Sequence, residues 1–313
     1  MNRAENAQLG ERRNRRLGAL YAWPMGGWLA LFFVLPLAII ALYSFMKKGL
    51  YGGVEREFSL DAYRLMLNPR FGALFVRTLL VAFASTVIAV LVALPCGYAM
   101  ARSKRQTLLL ILVMVPFWIN SLIRVFGWMS ILGNNGYANA LLRRLGLVSD
   151  YARLMYNNRA VVLLSVYMYL PYAILPLFTA IDRFDFSLLE AARDLGATKL
   201  QAMLKTLVPN VKGGIVTAVI FTFIPIFGAY AIPLLVGGKD SYMLGNVIVD
   251  QVNRMRNWPL ASAFSMVLTL LSALGVAWML AAGRAAKDAD AHIADKEGAP
   301  SAGAKKEAAR HAR

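Results

Sequence analysis

The stretch DRFDFSLLEAARDLGATKLQAMLKTLVPNVK, Asp182 to Lys212, carries two helix starts that can be read directly. Ser187 followed three residues on by Glu190 matches S-x-x-E, and Thr198 followed by Gln201 matches T-x-x-Q. In both patterns, side chains satisfy the free N–H groups of a helix's first turn. The first predicted helix, about Leu188 to Leu195, stops at Gly196, a residue able to take the left-handed conformation that closes a helix. The second, about Lys199 to Val208, ends at Pro209. Leu188, Leu189, Ala192 and Leu195 form one apolar stripe, and Leu200, Met203, Leu204 and Leu207 another. A helix-turn-helix built this way exposes apolar surface that needs a cover.

On both sides of this stretch the chain loses its charges. The 313 residues are 58% hydrophobic and 16% charged, against about 25% charged in an average soluble chain. Charge-free windows run from Leu17 to Met46, Thr78 to Ala101, Ala160 to Ile181, Gly213 to Gly238 and Asn257 to Gly283. A bilayer core of ~30 Å takes about 20 apolar residues in a helix. Adding Gln106 to Ile123 gives an all-α membrane protein with six transmembrane helices, at about 24–46, 78–100, 106–123, 160–181, 213–238 and 258–283. The membrane domain then covers 21–283, and the stretch 182–212 is a loop between its fourth and fifth spans. Val125 to Leu142 contains Gly133, Asn134, Asn135, Gly136 and Asn139, turn chemistry that predicts a surface loop whose first half dips into the interface.

An even number of spans puts both termini on one side. Arg3, Arg12, Arg13, Arg15 and Arg16 in the tail 1–20, with Arg102, Lys104 and Arg105 after the second span, mark that side as cytoplasmic. The loop 182–212 is cytoplasmic by the same count. The tail 284–313, rich in Ala, Gly, Lys and Asp without an apolar stripe, is predicted disordered.

Several chemistries lack their residues. Cys96 is the single cysteine and both histidines, His292 and His311, fall in the C-terminal tail, so the spans lack the usual ligands of a zinc or haem site. The net charge of +17 is dispersed at helix ends, as in a membrane protein and unlike a nucleic-acid site. The acids Asp182, Asp185, Glu190 and Asp194 form no catalytic set with a histidine. None of the six assigned spans holds an ionisable residue, which a proton-coupled transporter would need. Coupling to Na⁺ through backbone carbonyls at the proline-broken helices stays open, as does an ATP-independent channel. No G-x-x-x-x-G-K-[ST] phosphate loop is present, since Gly238-Lys239 is followed by Asp240. A separate ATPase subunit fits both absences.

Glu190-Ala191-Ala192, then Gly196, then Pro209 resembles the EAA loop of binding-protein-dependent ABC importer permeases; Thr206 and Val208 depart mildly from its usual Ile and Leu. The stretches Pro116–Arg124, Gly133–Leu142, Tyr169–Leu177 and Asn257–Ala263 are similar to the spermidine/putrescine branch of that family. The resemblance covers about Trp28 to Leu280. It implies a type I importer fold in a bacterial inner membrane, with a cytoplasmic coupling helix docking on an ATPase. The residues it assigns to coupling are Glu190, Ala191, Ala192, Asp194, Leu195 and Gly196. It also implies a homologous second permease, two ATPase subunits that bind ATP and Mg, and a periplasmic binding protein, with no cofactor on this chain. Many members of the branch carry Gly-Glu-Phe in the fifth span where this chain has Gly228-Ala229-Tyr230. A polyamine would then meet aromatic faces here, with Trp118, Tyr169, Tyr172 and Tyr230 as candidates and Asn120 as a polar one, while the partner permease supplies acids. The alternative is another solute of the branch, such as iron, thiamine or a phosphonate.

Overall fold

The computed structural model describes residues 23–147, 149 and 153–298, and side-chain surroundings through Ala281. The basic tail 1–20 and the last residues, 299–313, lie outside the described residues.

Helices dominate. Trp23–Ser44 (α1), Pro69–Ala101 (α3), Asn158–Asp182 (α7) and the first part of Trp258–Gly298 (α13) are each long and apolar enough to cross a bilayer. Two bent pairs pass only when each is counted as one span. Gln106–Trp118 (α4) meets Ser121–Arg144 at 90°, and Lys199–Asn210 (α9) meets Lys212–Phe227 (α10) at 75°. Counted so, the crossings number up to six. The most apolar window of α1 is not buried at all, which suits a helix whose surroundings are lipid or a neighbouring subunit.

The bent pairs correct the expected loop at Val125 to Leu142. Ser121–Leu132 (α5) and Tyr137–Arg144 (α6) are helical, and the Gly and Asn residues serve the short turn between them. Gly136 N–H donates to Gly133 O, and Asn139, fully buried, donates to the same carbonyl. The fifth span is also discontinuous: α10 stops at Phe227, Gly228–Tyr230 is unwound, and Ala231–Val236 (α11) follows.

The chain packs as two units. The first comprises residues to Gly72 together with Val247–Leu268. Met46–Lys48 (β1) and Val54–Phe58 (β2) pair antiparallel in it, a small hairpin in an otherwise helical fold, followed by Asp61–Met66 (α2). Gly53 N–H donates to Arg256 O, and Tyr63 Oη donates to the buried Ser44 hydroxyl. The second unit comprises Ala73–Asn246 and the residues from Thr269 on. Its core is small where helices must approach closely: Ala89, Ala93, Ala173 and Ala218 are fully buried. A Cβ on Gly97 would stand 3.2 Å from the Phe178 backbone nitrogen, and one on Gly214 would clash with Ala180. Small residues at helix contacts are how membrane helices gain close packing without a hydrophobic drive. Pro95, Pro171, Pro176 and Pro225 sit inside helices, as neighbouring helices in a membrane allow.

Ser187–Asp194 (α8) forms the first helix of the loop, and Leu244–Asn253 (α12) is a helix the sequence reading did not anticipate. The backbone of α13 continues helically to Gly298. The first part of the tail expected to be disordered from Arg284 is therefore helical, and its abundance of alanine, the best helix former, accounts for that.

Candidate functional site

The loop 182–212 folds as two short helices within the second unit. Residue Phe186 precedes α8 with no side-chain cap, so Ser187 is not the capping residue expected. The Asp185 carboxylate, two residues earlier, accepts instead from Ser187 N–H at 3.0 Å. Hydrogen bonds from Ser187 hold the Asp185 carboxyl below its ordinary value. Glu190 then lies in the first turn of α8, where its charge favours the helix dipole.

The end of α8 is closed as predicted. Gly196 has φ +91°, and its N–H donates to Arg193 O at 2.9 Å while Ala197 N–H donates to Ala192 O at 3.1 Å. Those two bonds are the paired closure in which the residue after the glycine reaches back over the last turn. Thr198 and Gln201 form the full reciprocal box, at 3.2 Å and 2.9 Å. Pro209 does not end α9. A π-turn over Met203–Leu207 shifts the register, Asn210 Nδ2 donates to Thr206 O, and the helix runs to Asn210.

Each apolar stripe divides. Leu189, Ala202 and Leu207 are buried in the core with Met100, Ala101 and Ile181. Leu188, Leu195, Leu200 and Leu204 face outward, Leu195 at 90% exposure. Glu190, Ala191 and Asp194 are exposed beside them, Ala192 is half-buried, and a shallow depression is lined by Glu190, Arg193, Asp194, Ala197, Thr198 and Lys199. A ring of ties holds the platform to the helices behind it. Arg102 sits 5.4 Å from the Phe186 ring centroid and donates to Tyr98 Oη at 3.2 Å, and Gln106 Nε2 donates to Asp182 Oδ1 at 3.0 Å. The Tyr98 bond, with Glu190 nearby, raises the Arg102 guanidinium above its ordinary value. The Arg102–Phe186 and Gln106–Asp182 contacts join segments distant in the chain, which no local pattern shows.

A cavity of about 360 Å³ opens within the same unit, between α4, α5, α7 and the break after α10. Tyr169, Tyr172 and Tyr230 line it with Phe117, which meets Tyr172 edge-on at 5.3 Å. The break is held open by its neighbours: Asn246 Nδ2 donates to Tyr230 O at 2.9 Å, and a Cβ on Gly245 would stand 2.6 Å from Ala229 O. The structure thus gathers three of the five aromatic and polar candidates. Trp118 is 82% exposed and Asn120 caps α5 by accepting from Leu122 N–H, and neither lines the cavity. Among the lining residues outside the sequence candidates, Arg124 carries a charge. Arg124 lies one position past the assigned third span, and the helical course of α5 carries its guanidinium into the cavity, 5.1 Å from the Phe117 ring centroid. The assigned spans hold no ionisable residue, yet this one, just past the third, reaches the cavity. Among the described residues, no group of three His, Cys, Asp or Glu could hold a metal ion.

Residues 85–285 match the family described as the inner membrane component of binding-protein-dependent transport systems. The chain is 36% identical over 250 residues to the Escherichia coli K12 spermidine/putrescine transport system permease protein PotB, covering 79% of this chain and 91% of that one. The chain belongs to this permease family. The Haemophilus influenzae PotB is 34% identical over 249 residues, covering 79% and 87% of the two chains. The E. coli inner membrane ABC transporter permease YdcU is 32% identical over 240 residues, covering 72% and 76%. Among solved structures, a chain of a bacterial ABC transporter involved in the import of the acidic polysaccharide alginate superposes with a TM-score of 0.67, covering 89% of this chain and 98% of that one. At 15% identity that likeness speaks for the fold, a type I ABC importer permease. In this permease the capped loop 182–212 and the aromatic cavity are the two features with a functional shape.

Proposed function

We propose that this permease is one of two homologous membrane subunits of an ATP-driven importer that receives spermidine or putrescine from a periplasmic binding protein. The substrate class rests on one observation, the 36% identity shared over 250 residues with spermidine/putrescine permeases. ATP and Mg bind on two separate ATPase subunits, each seated on a permease. The N- and C-termini and the loop 182–212 face the cytoplasm.

The coupling surface is the outer face of α8 and α9. Glu190, Ala191, Ala192, Asp194, Leu195 and Gly196 meet the ATPase, and the buried Leu189 and Leu207 carry its movement into the helices behind. Leu188, Leu195, Leu200 and Leu204 would be covered there, and burying a leucine side chain is worth about 1.5–3 kcal/mol. This chain performs no hydrolysis; its work is the rearrangement of packed helices. In the cavity, the faces of Tyr169, Tyr172 and Tyr230 hold ammonium groups. Arg124, a cation among them, favours a second reading in which the solute is an anionic member of the branch such as a phosphonate.

Uptake of labelled spermidine, putrescine and a phosphonate by liposomes holding the whole complex separates the two. Accumulation of either polyamine, dependent on ATP and binding protein, is expected. Accumulation of the phosphonate alone would discard the polyamine.

A further inference from the structure

A permease that passes a polycation has no reason to line its cavity with a cation unless that cation answers something. Arg124 is half-buried, and its Nε is buried without a hydrogen-bond partner among the described residues. No Asp or Glu lines the cavity. The guanidinium carbon lies 5.1 Å from the Phe117 ring centroid and within electrostatic reach of Tyr169, and a ring face satisfies none of the guanidinium's N–H donors. Arginine cannot escape by giving up its proton, and in a membrane such a group pairs with another charge or faces water. The planar fork of donors matches a carboxylate better than any other side chain. Around it α4 and α5 also leave Trp118, Leu122 and Phe126 uncovered, so the edge of the cavity is open to a neighbour.

We propose that the guanidinium of Arg124 pairs with an aspartate or glutamate of the second permease, which thereby enters the aromatic cavity. The inference deepens the reading of the chain as one half of a two-permease polyamine importer. It accounts for a cation that no acid among the residues lining the cavity answers. When the cavity is empty, the partner carboxylate is neutralised by Arg124. When a polyamine arrives, an ammonium group takes the place of the guanidinium on that carboxylate while Tyr169 and Tyr172 receive the methylene chain. The carboxylate is paired in both states, and the displaced guanidinium stays over the Phe117 ring as the structure shows it.

The test is charge reversal across the two permeases in the whole complex. Arg124→Glu should lower polyamine uptake at least tenfold and lower the melting temperature of the purified complex. In that background, each Asp and Glu within the spans of the second permease is changed to Arg, and one such change should restore both readouts. Arg124→Gln, which keeps the size, should also lose at least tenfold in uptake, and Arg124→Lys should regain most of it. Wild-type uptake by Arg124→Gln would overturn the proposal, as would failure of every reversal to restore Arg124→Glu. The melting temperature is read without solute, so pairing can be judged even where wild-type complex takes up no polyamine, which would count against the substrate reading alone.

Discussion

Replacing Gly196 by alanine isolates the closure of the coupling helix. A Cβ at this position would meet nothing within 4 Å, so the substitution crowds no neighbour in the chain. The cost is in the backbone: φ is +91°, in the region that costs an L-residue about 1–2 kcal/mol. If the closed turn relaxes, the bonds from Gly196 to Arg193 and from Ala197 to Ala192 are lost and the segment to Thr198 changes direction. A penalty of 1–2 kcal/mol lowers the ratio of closed to open loop by about 5- to 30-fold. The assay is ATP hydrolysis by the reconstituted complex, with and without liganded binding protein, beside transport. Stimulated hydrolysis per solute moved should rise as coupling weakens, while the melting temperature changes little because Gly196 is exposed. Gly196→Asp should do the same more strongly, since an acid at a helix C-terminus opposes the dipole. Wild-type coupling in both variants would refute the reasoning.

Leu189 and Leu195 separate fold from docking: Leu189→Ala, at 5% exposure, should destabilise by about 2–5 kcal/mol, whereas Leu195→Ala, at 90%, should leave the melting temperature alone and weaken co-purification of the ATPase. Tyr172→Ala should weaken polyamine affinity by about 2- to 30-fold, the range of one ammonium–ring contact, read as the half-saturating concentration for uptake. The Asp185 carboxyl is depressed by its bonds from Ser187, so its contribution to the start of α8 is full above its ordinary value of 3.8 and disappears as pH falls through the lower folded value. Amide exchange at Ser187, followed downward in pH, should show protection falling in that window in the wild type and no such step in Asp185→Asn.

Much of the loop was legible because its signals are local. Gly196 and the pair Thr198 and Gln201 each act within four residues of themselves, and each does what its pattern says. Ser187 does not cap because Asp185, two residues earlier, takes the Ser187 N–H that Glu190 would accept in the expected box. Pro209 misled because a π-turn upstream can absorb its missing donor. The cavity was legible in residue type and not in direction. Tyr169 and Tyr172 face inward with Phe117, while Trp118, next in the chain to Phe117, points outward; one helical step decides between them, and a charge-free window contains no marker of it. Arg124 was hidden by the rule that found the spans, since a window closed at the first charge leaves that charge outside.

The claim on which everything else depends is that this chain converts ATPase work into solute movement. Its most direct test is ATP hydrolysis by the permease pair and ATPase in liposomes, with binding protein and with spermidine, putrescine or neither. Liganded binding protein should stimulate hydrolysis several-fold over the unliganded protein, and Gly196→Asp should break the link to uptake. A chain that assembles with no ATPase, or hydrolysis indifferent to the binding protein in every form, would contradict the account.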